Sequence, residues 1–170
     1  YLEMVQSITW MEYVDVLKTE PKDFLAGCGE KRIGLEKEYL PLEQYLDFSG
    51  KMPDKKLVPT KGLVEALRMI KDEAELESTR RAADIGCMAF SHMCDFIEPG
   101  MTEKEISAEL GHFMMVCGAE GLSFDTIVAS GPNGSRPHAV PSDRKVQKGD
   151  FITMDYGCLY EGYCSDMTRT

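Results

Sequence analysis

The sequence lacks several features that would place it at once in a familiar class. No run of apolar residues approaches the roughly 18 that a transmembrane helix needs, so we expect no contact with a membrane. Positive charge is scarce, with 19 Lys+Arg against 29 Asp+Glu and a formal net charge of −10. Because a chain of this charge offers no basic stripe to a phosphate backbone, nucleic acid is excluded as an expected ligand.

Cysteine pairs of the C-x-x-C type are also missing. The six cysteines are Cys28, Cys87, Cys94, Cys117, Cys158 and Cys164. Their spacing fits neither a disulfide framework nor a zinc knuckle, which predicts reduced thiols in a cytoplasmic protein. No basic segment precedes an apolar run at the start, so no signal peptide is predicted. The chain begins with Tyr1 rather than Met, and we expect both ends to be cut edges of a longer protein.

The residues that are present indicate a globular protein, since 43% are hydrophobic and 28% are charged. Residues 1–59 contain short mixed segments. The patterns there predict a helix that starts at a Thr9–Glu12 capping box, a strand at 31–35, a helix at 41–48 and a linker at 47–59.

From residue 60 onward the patterns are stronger. Thr60 is predicted to cap a short helix, and capping boxes at Asp72–Glu75 and Thr102–Glu105 start two amphipathic helices. Pro99-Gly100 and Gly118 are expected to end these two helices. Strands are predicted at 124–129, 151–157 and 163–170, with a loop at 130–143. The order favours an α+β fold in which two helices cover an antiparallel sheet.

Two acidic residues, Asp155 and Asp166, lie in the last two predicted strands. If these strands form a hairpin centred between Tyr160 and Glu161, the two carboxylates are direct cross-strand neighbours with Cβ atoms about 4.5–5.5 Å apart. Like charges at that distance repel, and one or two divalent cations would compensate them. The same spacing also fits an acidic hairpin that faces water, and a one-residue bulge would break the pairing.

Four segments of the sequence resemble one known family. The resemblance lies in S-F-D-T-I-V-A-S-G-P-N (123–133), P-H-A-V-P-S-D-R (137–144), K-G-D-F-I-T-M-D-Y-G (148–157) and Y-E-G-Y-C-S-D-M-T-R-T (160–170). These segments are similar to the prolidase, aminopeptidase P and creatinase family, whose pita-bread fold is shared with methionine aminopeptidases. The segment at 57–76 looks like that family's junction between domains. The resemblance implies a partial creatinase-like N-terminal α/β domain with linker over 1–59 and the first half of a pita-bread catalytic domain over 60–170.

The resemblance also implies roles for four residues. Asp155 and Asp166 match the first two of five metal ligands, with Asp155 at one ion and Asp166 bridging two. His138 matches the catalytic histidine beside the substrate, although the family more often has Gly where this chain has Ala139. Thr168 matches a position that supports the ligands. The remaining ligands, one His and two Glu, would lie beyond Thr170.

The implied activity is hydrolysis of the peptide bond before proline in short peptides, with two Mn²⁺, Co²⁺ or Zn²⁺ ions, in an intact homodimer. A Glu from the missing half would act as the base. The 170 residues alone are expected to be inactive, because a half-site binds metal weakly or not at all. Two alternatives remain: a metal-free, creatinase-like amidinohydrolase, and a non-catalytic binding module. Retention of both Asp155 and Asp166 favours the metal-dependent enzyme.

Overall fold

A computed structural model describes residues 20–170, which divide after Ile70 into two compact units. The helix predicted after Thr9 falls outside these residues. Within the described part of the chain, none of the helices combines the length and the apolar character needed to cross a bilayer.

The first unit is built around two parallel strands, β1 (Arg32–Glu36) and β2 (Lys56–Thr60). They pair in register from Arg32 opposite Lys56 to Glu36 opposite Thr60. Parallel strands need a crossover connection, which here contains helix α2 (Leu42–Lys51). Helix α1 (Pro21–Gly27) precedes this β-α-β segment in the chain and α3 (Leu63–Met69) follows it. The strand predicted at 31–35 and the helix predicted at 41–48 are thereby confirmed.

Two other predictions for this unit are wrong. The expected linker at 47–59 instead contains the end of α2 and most of β2. Pro59 is tolerated in this strand, because among residues 20–170 β2 pairs on one side only, with β1. Thr60 does not cap a helix. It is the last residue of β2, and its Oγ1 donates a hydrogen bond of 3.0 Å to the Leu35 carbonyl of β1. Gly62, in the left-handed region, is the N-cap of α3. The assignment of 1–59 and 60–170 to two domains stays a prediction, although the compact units divide after Ile70.

The second unit opens with two helices, α4 (Glu73–Phe96) and α5 (Glu103–Val116). Both predicted capping boxes are confirmed, because Asp72 and Thr102 each accept from the backbone N–H three residues on, and the glutamate at that position reaches back. Gly118, at φ +101°, follows the last residues of α5.

The strands of this unit form two antiparallel sheets of three strands rather than one continuous sheet. One has the order β3 (Gly121–Leu122), β6 (Cys158–Tyr160), β7 (Tyr163–Cys164). The other has the order β4 (Ile127–Ser130), β5 (Ile152–Tyr156), β8 (Met167–Arg169). The predicted α+β class is confirmed, but the strand expected at 163–170 is interrupted at Ser165 and Asp166, and that expected at 124–129 begins only at Ile127.

The core of the second unit lies between α4, α5 and the strands. Its fully or almost fully buried apolar side chains include Ala82, Ile85, Ala89, Met93, Ile106, Leu110, Met114, Val128, Met154 and Tyr156. The Tyr156 hydroxyl donates to the Gly86 carbonyl at 3.2 Å, which satisfies the one polar atom of this ring. All six cysteines lie in the described residues and are free thiols, as predicted, but only Cys158 is buried.

Candidate active site

Strand β5 places Asp155 in the middle of its sheet. Its direct cross-strand partners are Ile127 on β4 and Thr168 on β8. The predicted pairing of Asp155 with Asp166 is therefore wrong by two residues on β8. Thr168 takes the position that we expected Asp166 to hold.

The difference comes from the turn of the hairpin. Tyr160 pairs with Tyr163, so the turn residues are Glu161 and Gly162, and both have positive φ, at 47° and 80°. Two central residues in the left-handed region are what a two-residue type I′ hairpin requires. The hairpin is thus centred one residue later than predicted, which moves every cross-strand partner by two.

Asp166 lies in the interruption between β7 and β8. At this point the two strands of the hairpin come unusually close, because a Cβ atom built on Gly157 would lie 1.9 Å from the Ser165 carbonyl oxygen. Ser165 is held there by its own backbone N–H, which donates to the Cys158 carbonyl at 2.9 Å, and by Ser123 Oγ, which donates to its carbonyl at 2.7 Å. The next residue, Asp166, is exposed.

Asp155 and Asp166 nevertheless line the same open cavity, which has a volume of about 550 Å³. Its other lining residues are Phe124, Asp125, Thr126, Ile127, His138, Ala139, Val140 and Pro141. Three of the four predicted site residues therefore share one cavity. The fourth, Thr168, contacts Asp155, since its Oγ1 donates to Asp155 Oδ1 at 2.8 Å.

Sequence reasoning missed two polar residues of this wall. Asp125 is an exposed carboxylate, and Thr126 is 7% exposed. Its hydroxyl has no hydrogen-bond partner among the described residues. Because the sequence predicts a strand over 124–129, it does not single out either residue. Both precede the observed strand, and loop residues next to a strand often belong to functional sites.

The loop that brings His138 to the cavity is fastened to a buried carboxylate, Glu103, at the start of α5. Glu103 is 0% exposed and accepts hydrogen bonds from Ser130, Asn133 and Ser142. Burial alone would raise the pKa of this carboxyl, but these hydrogen bonds outweigh it and lower the pKa to about 2. An acidic residue in a first helical turn is so common that the sequence does not single it out.

An ion pair lies beside this carboxylate. Arg144 Nη1 donates to Asp150 Oδ2 at 2.7 Å and to Ser130 Oγ at 2.6 Å. The hydrogen bond from Arg144 is the main cause that lowers the pKa of Asp150, and the one to Asp150 is the main cause that raises the pKa of Arg144. Gly131 lies so close to this pair that an added Cβ would be 2.7 Å from atoms of both side chains.

The donor set at the cavity fits part of a divalent-cation site. Hard divalent ions prefer carboxylate oxygens, and Asp155, which lines the cavity, has more lone pairs than the one that accepts from Thr168. In residues 20–170, however, no group of three or more His, Cys, Asp or Glu side chains could enclose an ion. If a divalent ion binds at this cavity, Asp155 and Asp166 would supply two carboxylates and the ion would need further ligands.

Comparison with known proteins gives a consistent result. The profile of the Metallopeptidase family M24 matches residues 77–170, and that of the Creatinase/Prolidase N-terminal domain matches residues 2–70. The uncharacterized peptidase YqhT of Bacillus subtilis is 42% identical over 148 residues, which are 87% of this chain and 42% of that protein.

Two solved structures are similar in fold as well as in sequence. The Xaa-Pro dipeptidase from Bacillus anthracis is 44% identical, with a TM-score of 0.77, over 82% of this chain and 39% of the other. The X-Pro aminopeptidase from Thermotoga maritima is 40% identical, with a TM-score of 0.80, over 94% of this chain and 45% of the other. The chain thus spans less than half the length of these relatives.

Proposed function

The chain belongs to Metallopeptidase family M24, and from this premise we propose that the whole protein hydrolyses the peptide bond before proline in short peptides. The main support is the cavity, which brings His138 to two carboxylates, Asp155 and Asp166. The two similar structures, which are an Xaa-Pro dipeptidase and an X-Pro aminopeptidase, support the substrate class.

Asp155 and Asp166 would hold divalent ions, with Mn²⁺, Co²⁺ and Zn²⁺ as the candidates. When bound, such ions polarise a scissile carbonyl and lower the pKa of water, so that a nucleophile forms near neutral pH. Thr168 keeps the Asp155 carboxylate in one orientation through its hydrogen bond of 2.8 Å.

His138 lines the cavity from the loop after β4 and is exposed. In this proposal its imidazole donates a hydrogen bond to the negative charge that develops on the scissile carbonyl oxygen, or carries its proton. A peptide bond before proline has no N–H, so the cavity wall need not provide an acceptor for one.

The proposal needs residues beyond this chain. Two carboxylates cannot enclose an ion, and the base is expected among the glutamates of the second half of the catalytic domain. We therefore propose that residues 1–170 alone are inactive. We also propose that the complete protein is a cytoplasmic homodimer. A metal-free amidinohydrolase remains the alternative, but it would have no use for two carboxylates at one cavity.

The test is hydrolysis of Ala-Pro and Ala-Ala by the full-length protein, stripped of metal and then supplied with Mn²⁺, Co²⁺ or Zn²⁺. We expect metal-dependent cleavage of Ala-Pro and much slower cleavage of Ala-Ala. Asp155→Asn should abolish it, whereas Asp95→Asn, at an exposed carboxylate of α4 that does not line the cavity, should not. Metal-loaded protein that leaves Ala-Pro intact would overturn the proposal.

A further inference from the structure

The wall of the cavity that carries His138 is a loop with little regular structure of its own. We call residues 131–141 the His138 loop; it begins with a short 3₁₀ helix (Gly131–Ser135) and has no strand or α-helix after it. His138, Ala139, Val140 and Pro141 of this loop line the cavity. A segment of this kind needs contacts outside itself to hold a side chain in one place.

One hydrogen bond of the loop runs from the Gly131 N–H to the Phe151 carbonyl at 2.9 Å, but the side-chain contacts at both of its ends converge on a single carboxylate. Glu103 Oε1 accepts from the Ser130 N–H at 2.7 Å and the Ser130 hydroxyl at 2.8 Å, at the beginning of the loop. Glu103 Oε2 accepts from the Ser142 N–H at 3.0 Å and the Ser142 hydroxyl at 2.6 Å, directly after its end. The Asn133 amide donates to both oxygens at 3.0 Å. One side chain thus ties together the two ends of the segment that contains His138.

The backbone of helix α5 reinforces the second end. The Glu103 N–H donates to the Arg144 carbonyl at 3.1 Å, and the Lys104 N–H donates to the Ser142 carbonyl at 3.3 Å. These are N–H groups of the first helical turn, which have no partner within the helix. The loop end therefore receives both the side chain and the free backbone donors of the same turn.

Glu103 is buried as a charged group and not as a neutral one. Its side chain is 0% exposed, and each of its oxygens accepts several hydrogen bonds, which is the arrangement that favours the ionised form. A glutamine side chain at this position would present its NH₂ group to the N–H and O–H donors of Ser130, Asn133 and Ser142, which need an acceptor. Replacement by glutamine therefore disturbs the loop ends while it keeps the volume of the side chain.

We propose that Glu103 is a positioning residue for catalysis: by fixing Ser130, Asn133 and Ser142, it sets the place of His138 in the cavity that Asp155 and Asp166 also line. Glu103 does not line the cavity, so it acts on the substrate only through the loop. This inference rests on the proposed peptidase function, because it assigns a role within that reaction.

The experiment uses the full-length, metal-loaded enzyme. Glu103→Gln is expected to lower kcat for Ala-Pro about a hundredfold, the effect of misplacing a catalytic group by about 1 Å, with unchanged metal affinity. Two variants in the same helix serve as controls. Glu105→Gln removes the same charge but keeps a residue that a capping box accepts, and Ile106→Val lowers stability at a buried site that makes none of these hydrogen bonds. Both should keep kcat within about threefold.

Coupling to His138 separates positioning from simple loss of stability. If Glu103 acts through His138, Glu103→Gln should change kcat less than threefold in a His138→Ala background, because the group that it positions is already gone. A further loss as large as that in the wild-type background would overturn the proposal. So would a loss of kcat in Ile106→Val that matches the loss in Glu103→Gln.

A second variant covers the case in which Glu103→Gln does not fold. Ser142→Ala removes one of the loop's hydrogen bonds to Glu103 and should lower kcat up to about tenfold. Amide hydrogen exchange of residues 134–141 should be faster in this variant and unchanged in Glu105→Gln. Equal exchange in all variants would overturn the proposal.

The activities of the wild type and of Glu103→Gln distinguish the failure of one proposal from the failure of the other. A full-length wild-type protein that does not cleave Ala-Pro would defeat the peptidase function, whatever the exchange rates are. An active wild type with normal kcat in the folded Glu103→Gln variant would defeat the role of Glu103 alone.

Discussion

Thr168 Oγ1 donates a hydrogen bond of 2.8 Å to Asp155 Oδ1 across the β5–β8 pair. The contact is directly cross-strand, so the sheet itself fixes the distance between the two residues. It orients the Asp155 carboxylate through one oxygen, and a carboxylate has further lone pairs with which it would bind the proposed metal ion. Thr168 is therefore the residue through which the hairpin register affects the proposed metal site.

The first prediction concerns this hydrogen bond. In the full-length protein, Thr168→Val should lower the affinity for Mn²⁺ about tenfold or more, because outer hydrogen bonds to metal ligands contribute about 10–100-fold. Isothermal titration calorimetry measures the Mn²⁺ affinity of the wild type and of each variant. Thr153→Val is the matched control, since the Thr153 hydroxyl lies 3.1 Å from that of Thr170 in the same sheet and makes no hydrogen bond to Asp155. Equal losses in both variants would contradict the prediction.

The second prediction concerns the close approach within the hairpin. Gly157→Ala should destabilise the full-length protein by about 3 kcal/mol, the upper end for overpacking, because its Cβ would lie 1.9 Å from the Ser165 carbonyl oxygen. Chemical denaturation followed by circular dichroism gives the free energy of unfolding. Gly111→Ala in α5 is the control, because its nearest neighbour would be an ordinary contact at 3.7 Å from a Leu122 methyl. A neutral Gly157→Ala would show that the strands can separate at this point.

The third prediction concerns pH. The pKa of Glu103 is lowered from 4.5 to about 2, so its contribution to stability is complete above about pH 4.5 and is lost as pH falls toward 2. The shift corresponds to about 3 kcal/mol. Urea unfolding of wild type and Glu103→Gln should therefore show a large difference at pH 7 that narrows steadily between pH 4.5 and pH 2. A difference that does not change over this range would mean that the carboxylate is not ionised in the folded protein.

The fourth prediction concerns residues 1–170 produced alone. Val140 and Phe151 of the second unit are each 81% exposed, although such side chains are usually covered. If the second half of the catalytic domain covers them in the whole protein, the isolated chain should associate. Light scattering should show species larger than a monomer, and Phe151→Ser should reduce their amount. A compact, stable monomer would contradict the prediction that these two side chains need such a cover.

The sequence predicted the elements that depend on local signals. The helices α4 and α5 begin at the capping boxes of Asp72 and Thr102, because a cap and its glutamate lie within one turn of each other. The family resemblance likewise identified three residues of one cavity, His138, Asp155 and Asp166, which are far apart in the chain.

The features that the sequence did not predict depend on distant contacts or on fine geometry. The Glu161-Gly162 turn differs from the expected one by a single residue, and composition alone cannot place a turn that accurately. The hydrogen bonds of Glu103 join residues from three separate segments, so no local sequence pattern predicts them. The Ser, Gly and Pro residues between Asp47 and Pro59 predict a linker, whereas pairing with β1 makes part of this segment a strand.

Anomalous diffraction at the zinc edge, from crystals of the full-length protein loaded with Zn²⁺, tests directly whether Asp155 and Asp166 are metal ligands. We expect one or two anomalous peaks in the cavity, with carboxylate oxygens of Asp155 and Asp166 about 2.0–2.2 Å away. Peaks only at other sites, or none in protein that binds zinc in solution, would contradict this expectation.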